Sequence, residues 1–129
     1  MTGVLVEPMT LHTDARGCVY EPLDPDGLLA QRNVHVVLTE PGHIRGNHYH
    51  PRGTEVLAVH GPALVRIRQD GHDADTRVPD GAVYRFTIPP GIPHAVLNTG
   101  DAPALVVSFN TVAHDPAAPD VVRETILEP

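Results

Sequence analysis

From Asn33 to Asn110 the chain alternates short β-branched runs with Gly, Pro and Asp. Apolar residues recur mostly at every second position within each run, the period of a strand with one buried face. The pattern predicts strands near Asn33–Thr39, Ile44–Tyr49, Glu55–His60, Ala63–Gln69, Val83–Ile88, His94–Leu97 and Ala104–Asn110. Turn chemistry separates them: Pro41-Gly42, Pro51-Arg52-Gly53, Gly61-Pro62, Asp70-Gly71, Asp80-Gly81, Pro89-Pro90-Gly91 and Thr99-Gly100-Asp101. One helical turn is predicted over Asp26–Gln31, and Asp120–Leu127 reads as a terminal strand or a short helix. Many short strands with frequent turns favour an all-β antiparallel sandwich or barrel over alternating βαβ units. The jelly roll is the member of that class that leaves a cavity between its sheets.

Length adds that residues 1–129 form one domain, with a core of useful size. No apolar run approaches the ~20 residues of a membrane-spanning helix. The opening MTGVLVEPMT lacks the basic and apolar regions of a secretory signal. The expectation is a cytoplasmic protein without a membrane partner. A single cysteine, Cys18, rules out an internal disulfide, fits a reducing compartment and reads as a small buried apolar residue.

The net charge of −7 argues against nucleic acid as a partner, because phosphate backbones are bound by clustered cations. It leaves room for an anionic small molecule held by a few arginines. All nine cations are arginine, and the absence of lysine excludes Schiff-base chemistry on an internal amine.

The nine histidines change the picture most. In the strand ending at His50, residues two apart share a face, so His48 and His50 point one way and Tyr49 the other. Pro51–Thr54 make a turn, and Glu55 opens the returning strand beside the pair. Pro89-Pro90-Gly91 delivers His94 onto another strand. Three imidazoles and one carboxylate, with positions left open, make a site for one divalent ion per chain: zinc, iron, manganese, cobalt or nickel. His12, His72 and His114 fall in loop-like segments and read as surface residues, whereas His43 has no evident role.

The spacing resembles the two cupin motifs, G-x5-H-x-H-x3-4-E-x6-G and G-x5-P-x-G-x2-H-x3-N, over residues 42–98. Gly61 arrives one residue early and Gly81 two residues far upstream, departures that lie in turns and leave the ligands untouched. The resemblance implies a cupin jelly-roll barrel. Arg45-Gly46-Asn47-His48-Tyr49-His50 further resembles the zinc cupin at the C-terminus of capsular polysaccharide enzymes that epimerise UDP-4-keto-hexoses. Glu55 through Arg68 looks like the next two strands of that family; its reductase domain has no counterpart here. Asp14-Ala15-Arg16-Gly17 followed by Glu21 is similar to the opening of the dTDP-4-keto-sugar 3,5-epimerases and ketoisomerases. That likeness implies a diphosphate contact at Arg16 and makes His48 either a base or a ligand; His50, Glu55 and His94 favour ligand. By itself, the stretch is a turn before the first strand. The same families imply a homodimer, with the N-terminal strand segment 1–32 at its interface.

These readings point to an isomerase or epimerase of a keto-sugar, nucleotide-activated in the resemblance, with zinc favoured. A Lewis acid makes the proton next to a ketone easier to remove, and a positioned base takes it. Candidates for that base are Tyr84, His35, His60 and metal-bound hydroxide, although His60 also suits a structural role at the end of its strand. Candidate substrate contacts are Arg16, Arg45 and the alternating pair Arg66 and Arg68, which share one face of their strand. An iron-dependent dioxygenase uses the same four ligands, and a non-catalytic binding module is the third alternative.

Overall fold

The computed structural model describes residues 3–129. Twelve strands and one short helix run in the order β1 Leu5–Pro8, β2 His12–Asp14, β3 Gly17–Val19, α1 Pro25–Leu29, β4 Asn33–Thr39, β5 Ile44–Tyr49, β6 Glu55–His60, β7 Ala63–Gln69, β8 His72–Val78, β9 Val83–Ile88, β10 His94–Asn98, β11 Ala104–Asn110 and β12 Val122–Arg123. One five-stranded sheet has the order β1-β9-β6-β11-β4 and the other β12-β5-β10-β7-β8, while β2 and β3 pair only with each other. From β4 to β7, and again from β8 to β12, consecutive strands fall in opposite sheets, the winding of a jelly roll.

The predicted runs form strands for the expected reason: one parity is apolar and faces the space between the sheets. Leu57 and Val59 of β6, Val65 and Ile67 of β7, Phe86 and Ile88 of β9, Val96 of β10 and Val106 of β11 make one buried cluster. Burying each such side chain contributes roughly 1.5–3 kcal/mol. A smaller cluster of Ala95, Ile126 and Leu127 lies on the outer face of the second sheet, where the C-terminal tail covers it. Asn47 holds the tail: its Oδ1 accepts from the Ile126 and Leu127 amides, and its Nδ2 donates to the Leu127 carbonyl at 3.0 Å.

Several expectations need correction. His72–Val78 is a strand, although HDADTRV has little apolar alternation, because it pairs along its whole length with β7. His12 also lies in a strand, in the hairpin formed by the stretch read as a turn before the first strand. The helical turn starts one residue earlier than expected, with Asp24 Oδ1 accepting from the Gly27 amide and Pro25 opening the helix. The region Asp120–Leu127 contributes only the two-residue strand β12. Cys18 is exposed on β3, which packs on no core.

Candidate metal centre

His48 and His50 come from β5, Glu55 from β6 and His94 from β10. Each has one ligand atom within 4.8 Å of those of the others. Glu55 and His94 are buried, at 7% and 2% exposure. The His48 ring centre is 5.0 Å from those of His50 and His94. His94 and His48 are brought together by register, as Cα partners in the β5–β10 pair.

A bulge makes this geometry possible. In the β5–β10 ladder Val96 pairs with Arg45, Ala95 with Gly46 and His94 with His48, so Asn47 is an extra residue. Gly46 (φ 94°) and Asn47 (φ 56°) both adopt left-handed backbone. A Cβ on Gly46 would sit 2.8 Å from the His94 carbonyl oxygen, so only glycine permits the close approach. The extra residue shifts the parity of the strand, bringing Arg45 and His48 to the same inner face.

The hydrogen bonds fit these residues to a cation. His50 Nδ1 donates to the Asp120 backbone carbonyl oxygen at 2.7 Å, and His94 Nδ1 donates to the Ile92 carbonyl oxygen at 3.0 Å. With protons on Nδ1, a neutral ring presents the lone pair of Nε2 to the cluster, as a metal ligand does. His50 Nε2 is 3.1 Å from Glu55 Oε2 and His94 Nε2 is 2.7 Å from Glu55 Oε1. His94 Nε2 is nevertheless buried and without a hydrogen bond, because the close oxygen lies off the line of one. Lone pairs converging on a carboxylate are mutually repulsive unless a proton or a cation lies among them. Ser108 Oγ donates to Glu55 Oε2 at 3.0 Å and orients the carboxylate from the protein side. The cluster therefore could hold one metal ion.

Electrostatics reflect the crowding. Burial, and next the neighbouring His94, push His48 down to about 4. Burial raises Glu55, but the contacts with His50 and His94 outweigh it and hold the carboxyl well below its ordinary value. Burial also lowers His50, yet the Glu55 carboxylate and the Asp120 carbonyl raise it overall.

The cluster opens into a cavity of about 300 Å³ with a mainly apolar wall that includes Val37, Leu57, Val96 and Val106. Of the expected base candidates, His35 lines it. Tyr84 does not. It packs on the core at the level of Val59, four residues along β9 from the partner of Glu55, or about 13 Å. His60 has the parity opposite to Glu55 and stands outside the barrel wall, with its Nε2 2.6 Å from the Tyr20 hydroxyl oxygen.

Among the expected substrate contacts, Arg45 lines the cavity. Arg66 and Arg68 lie opposite in parity to the core residues Val65 and Ile67 and face outward, where they pair with Asp75 and Asp73 at 2.7 Å. Arg16 is exposed on the β2–β3 hairpin and paired with Asp14.

Sequence reasoning missed Ser108, Asn110, His114 and Asp120, all of which line the cavity. The first two carried a signal: they are polar residues on the inward parity of a strand that is otherwise apolar. His114 and Asp120 reach the site from an irregular segment after β11, where periodicity carries no information.

The likeness to known proteins agrees with this architecture. Residues 12–122 match the family model described as the polysaccharide biosynthesis C-terminal domain. The chain belongs to that family. It is 26% identical over 131 aligned residues to the spore coat polysaccharide biosynthesis protein SpsL of Bacillus subtilis, covering 94% of this chain and 87% of SpsL. Among solved structures it is similar to the capsular polysaccharide assembling protein CapF from Staphylococcus aureus (TM-score 0.68, 26% identity, 92% of this chain). The chain spans only 33% of CapF. It also shares its fold with QdtA, a sugar 3,4-ketoisomerase from Thermoanaerobacterium thermosaccharolyticum (TM-score 0.71, 15% identity, 95% of this chain and 88% of that one). The cupin fold expected from the two motifs is the fold of this family member. Among the described residues no helix is long and apolar enough to cross a membrane.

Proposed function

We propose that this protein is a zinc-dependent enzyme that isomerises or epimerises a nucleotide-linked keto-sugar by moving a proton at a carbon next to the ketone. The observation that carries the reading is the buried three-histidine, one-carboxylate cluster at the wall of a cavity of about 300 Å³. That volume lies at the lower limit for ligand pockets and suits one sugar ring, leaving a nucleotide diphosphate at the mouth. The polysaccharide names of SpsL and CapF, and the ketoisomerase QdtA on the same fold, support a sugar substrate.

His48, His50, Glu55 and His94 would hold the ion, which supplies Lewis acidity to charge developing on a ketone oxygen, an effect of several kcal/mol. Leu57, Val96 and Val106 exclude water from the ring's apolar face. Asn110 and Ser108 offer polar atoms to sugar hydroxyls. Arg45 is the cavity's guanidinium, with no carboxylate partner among the described residues and one long 3.4 Å bond to the Leu38 carbonyl, so it is free to meet an anionic phosphate. We assign the protein to the cytoplasm, which its lone exposed thiol fits. We also assign it a homodimeric state, supported by the outward face of the edge strand β4, where Val34, Val36 and Leu38 are 57%, 70% and 62% exposed.

The test is proton exchange. Incubation with dTDP- and UDP-4-keto-6-deoxyhexoses in D2O should place deuterium next to the ketone, and chelation should slow this at least about tenfold. Absence of wash-in, or iron with oxygen uptake in the purified protein, would replace this reading with a different chemistry.

A further inference from the structure

We propose that His35 is the residue that takes the substrate's proton, an assignment that rests on the isomerase reading above. On β4 the alternate residues Asn33, His35 and Val37 line the cavity, and the residues between them face outward. The register sets Leu57, Ser108 and His35 side by side across β6, β11 and β4. At about 4.8 Å per strand, the His35 backbone is roughly 10 Å from that of Leu57, across the floor of the cavity. Ser108, midway between them, carries the hydroxyl that orients Glu55. A sugar ring whose ketone faces the histidine–glutamate cluster would thus have the His35 imidazole at its flank.

The other groups lining the cavity are poorly suited to the task. Arg45 stays protonated at any working pH. The Asp120 carboxylate is occupied, accepting from the Arg52 and Gly53 amides at 3.1 and 2.8 Å. His114 comes from an irregular segment, with its ring edge-on to His35 at 6.3 Å between centres. His35 instead stands on a strand, where the Asn33 side-chain amide donates to its Nε2 at 2.9 Å and fixes the ring with its own proton on Nδ1, so the substrate's proton is taken at Nε2 in place of that amide. It is also exposed, so a proton it accepts can exchange with water.

In the step itself, the C–H bond next to the ketone breaks, the proton passes to His35, and the electron pair moves onto the ketone oxygen as an enolate. Water returns a proton to the same carbon from the far face, and protonated His35 neutralises the hydroxide left behind. The carbon is inverted, with no net gain or loss of atoms.

The experiment compares deuterium wash-in from D2O for the metal-loaded wild type, His35→Gln and the control His72→Gln, whose side chain is on the outlying strand β8. His35→Gln should retain one metal equivalent and lose wash-in by about 100-fold or more, while the control keeps the wild-type rate. Binding is read independently by NMR on the folded wild type: the His35 ring signals should shift when a non-keto nucleotide hexose is added. Wash-in by His35→Gln within threefold of wild type, or His35 signals unmoved by a bound nucleotide hexose, would overturn the assignment. If the wild type itself exchanges no proton, the isomerase reading falls first and this assignment falls with it.

Discussion

His50 Nδ1 donates to the backbone carbonyl oxygen of Asp120 across 2.7 Å, so a residue of the segment covering the cavity fixes the ring nitrogen that a metal would see. The Asp120 carboxylate in turn accepts from the Arg52 and Gly53 amides in the turn between His50 and Glu55. One residue thus ties two candidate ligands to the segment that closes the pocket.

Asp120→Ala keeps the backbone carbonyl that holds His50 but removes the carboxylate that anchors it. That hold should slacken and metal binding weaken by about tenfold, the lower end of the effect of disturbing a partner that orients a ligand. The cavity-lining segment would lose its anchor, while the strands carrying the histidines would remain. Competition against a chromophoric chelator measures the change, and a wild-type affinity in the variant would show that the Asp120 carbonyl keeps its place on His50 without the carboxylate.

Metal-free protein should be most stable near pH 6.5. Folding pushes His48 down to about 4, so the unfolded chain binds more protons between pH 6.5 and 4 and stability falls as pH falls through that window. The lowered Glu55 acts in the same direction below its ordinary value of 4.5. His50, raised by the Glu55 carboxylate against the effect of burial, contributes stability below 6.5 that is lost as pH rises through its folded value. Urea midpoints of chelated protein across pH 4–9 should trace both limbs. Glu55→Gln should lack the alkaline one, and added metal should abolish it, because the ligand form of imidazole is neutral.

The outward face of β4 should mediate self-association. Val36→Asp puts a carboxylate at the centre of an apolar stripe in which Val36 is 70% exposed. Light scattering is expected to give twice the chain mass for the wild type and a single chain mass for the variant, with no loss of thermal stability in the monomer beyond about 0.5 kcal/mol. A wild-type monomer at micromolar concentration would remove the homodimer from the proposal.

Much of the barrel was legible in the chain because strand formation here is a local matter. Ala104–Asn110 or Val83–Ile88 alternate between two environments over a few residues and end at turn-forming Gly, Pro or Asp. The four-residue cluster was legible for the same reason: His48 and His50 share a face by strand period, and Glu55 returns beside them after a short turn. His94 added a third imidazole on another such strand.

What the chain alone could not disclose depends on residues far apart meeting. The β8 strand has no strong pattern of its own and exists through its ladder with β7. Strict alternation sets Arg45 on the face opposite to His48, and only the bulge at Gly46–Asn47, formed against Ala95 of another strand, brings them to one side. Parity likewise could not say whether Arg66 and Arg68 faced in or out, a choice made when Val65 and Ile67 packed into the core. His114 and Asp120 enter the site from an irregular segment whose path is set by where it docks. The sequence by itself therefore determined the patterned strands β4–β7 and β9–β11, the turns between them and the candidate ligands, all of them short-range properties of backbone and spacing. Tertiary packing decided which polar groups surround those ligands, because that outcome depends on register and burial between strands distant in the chain.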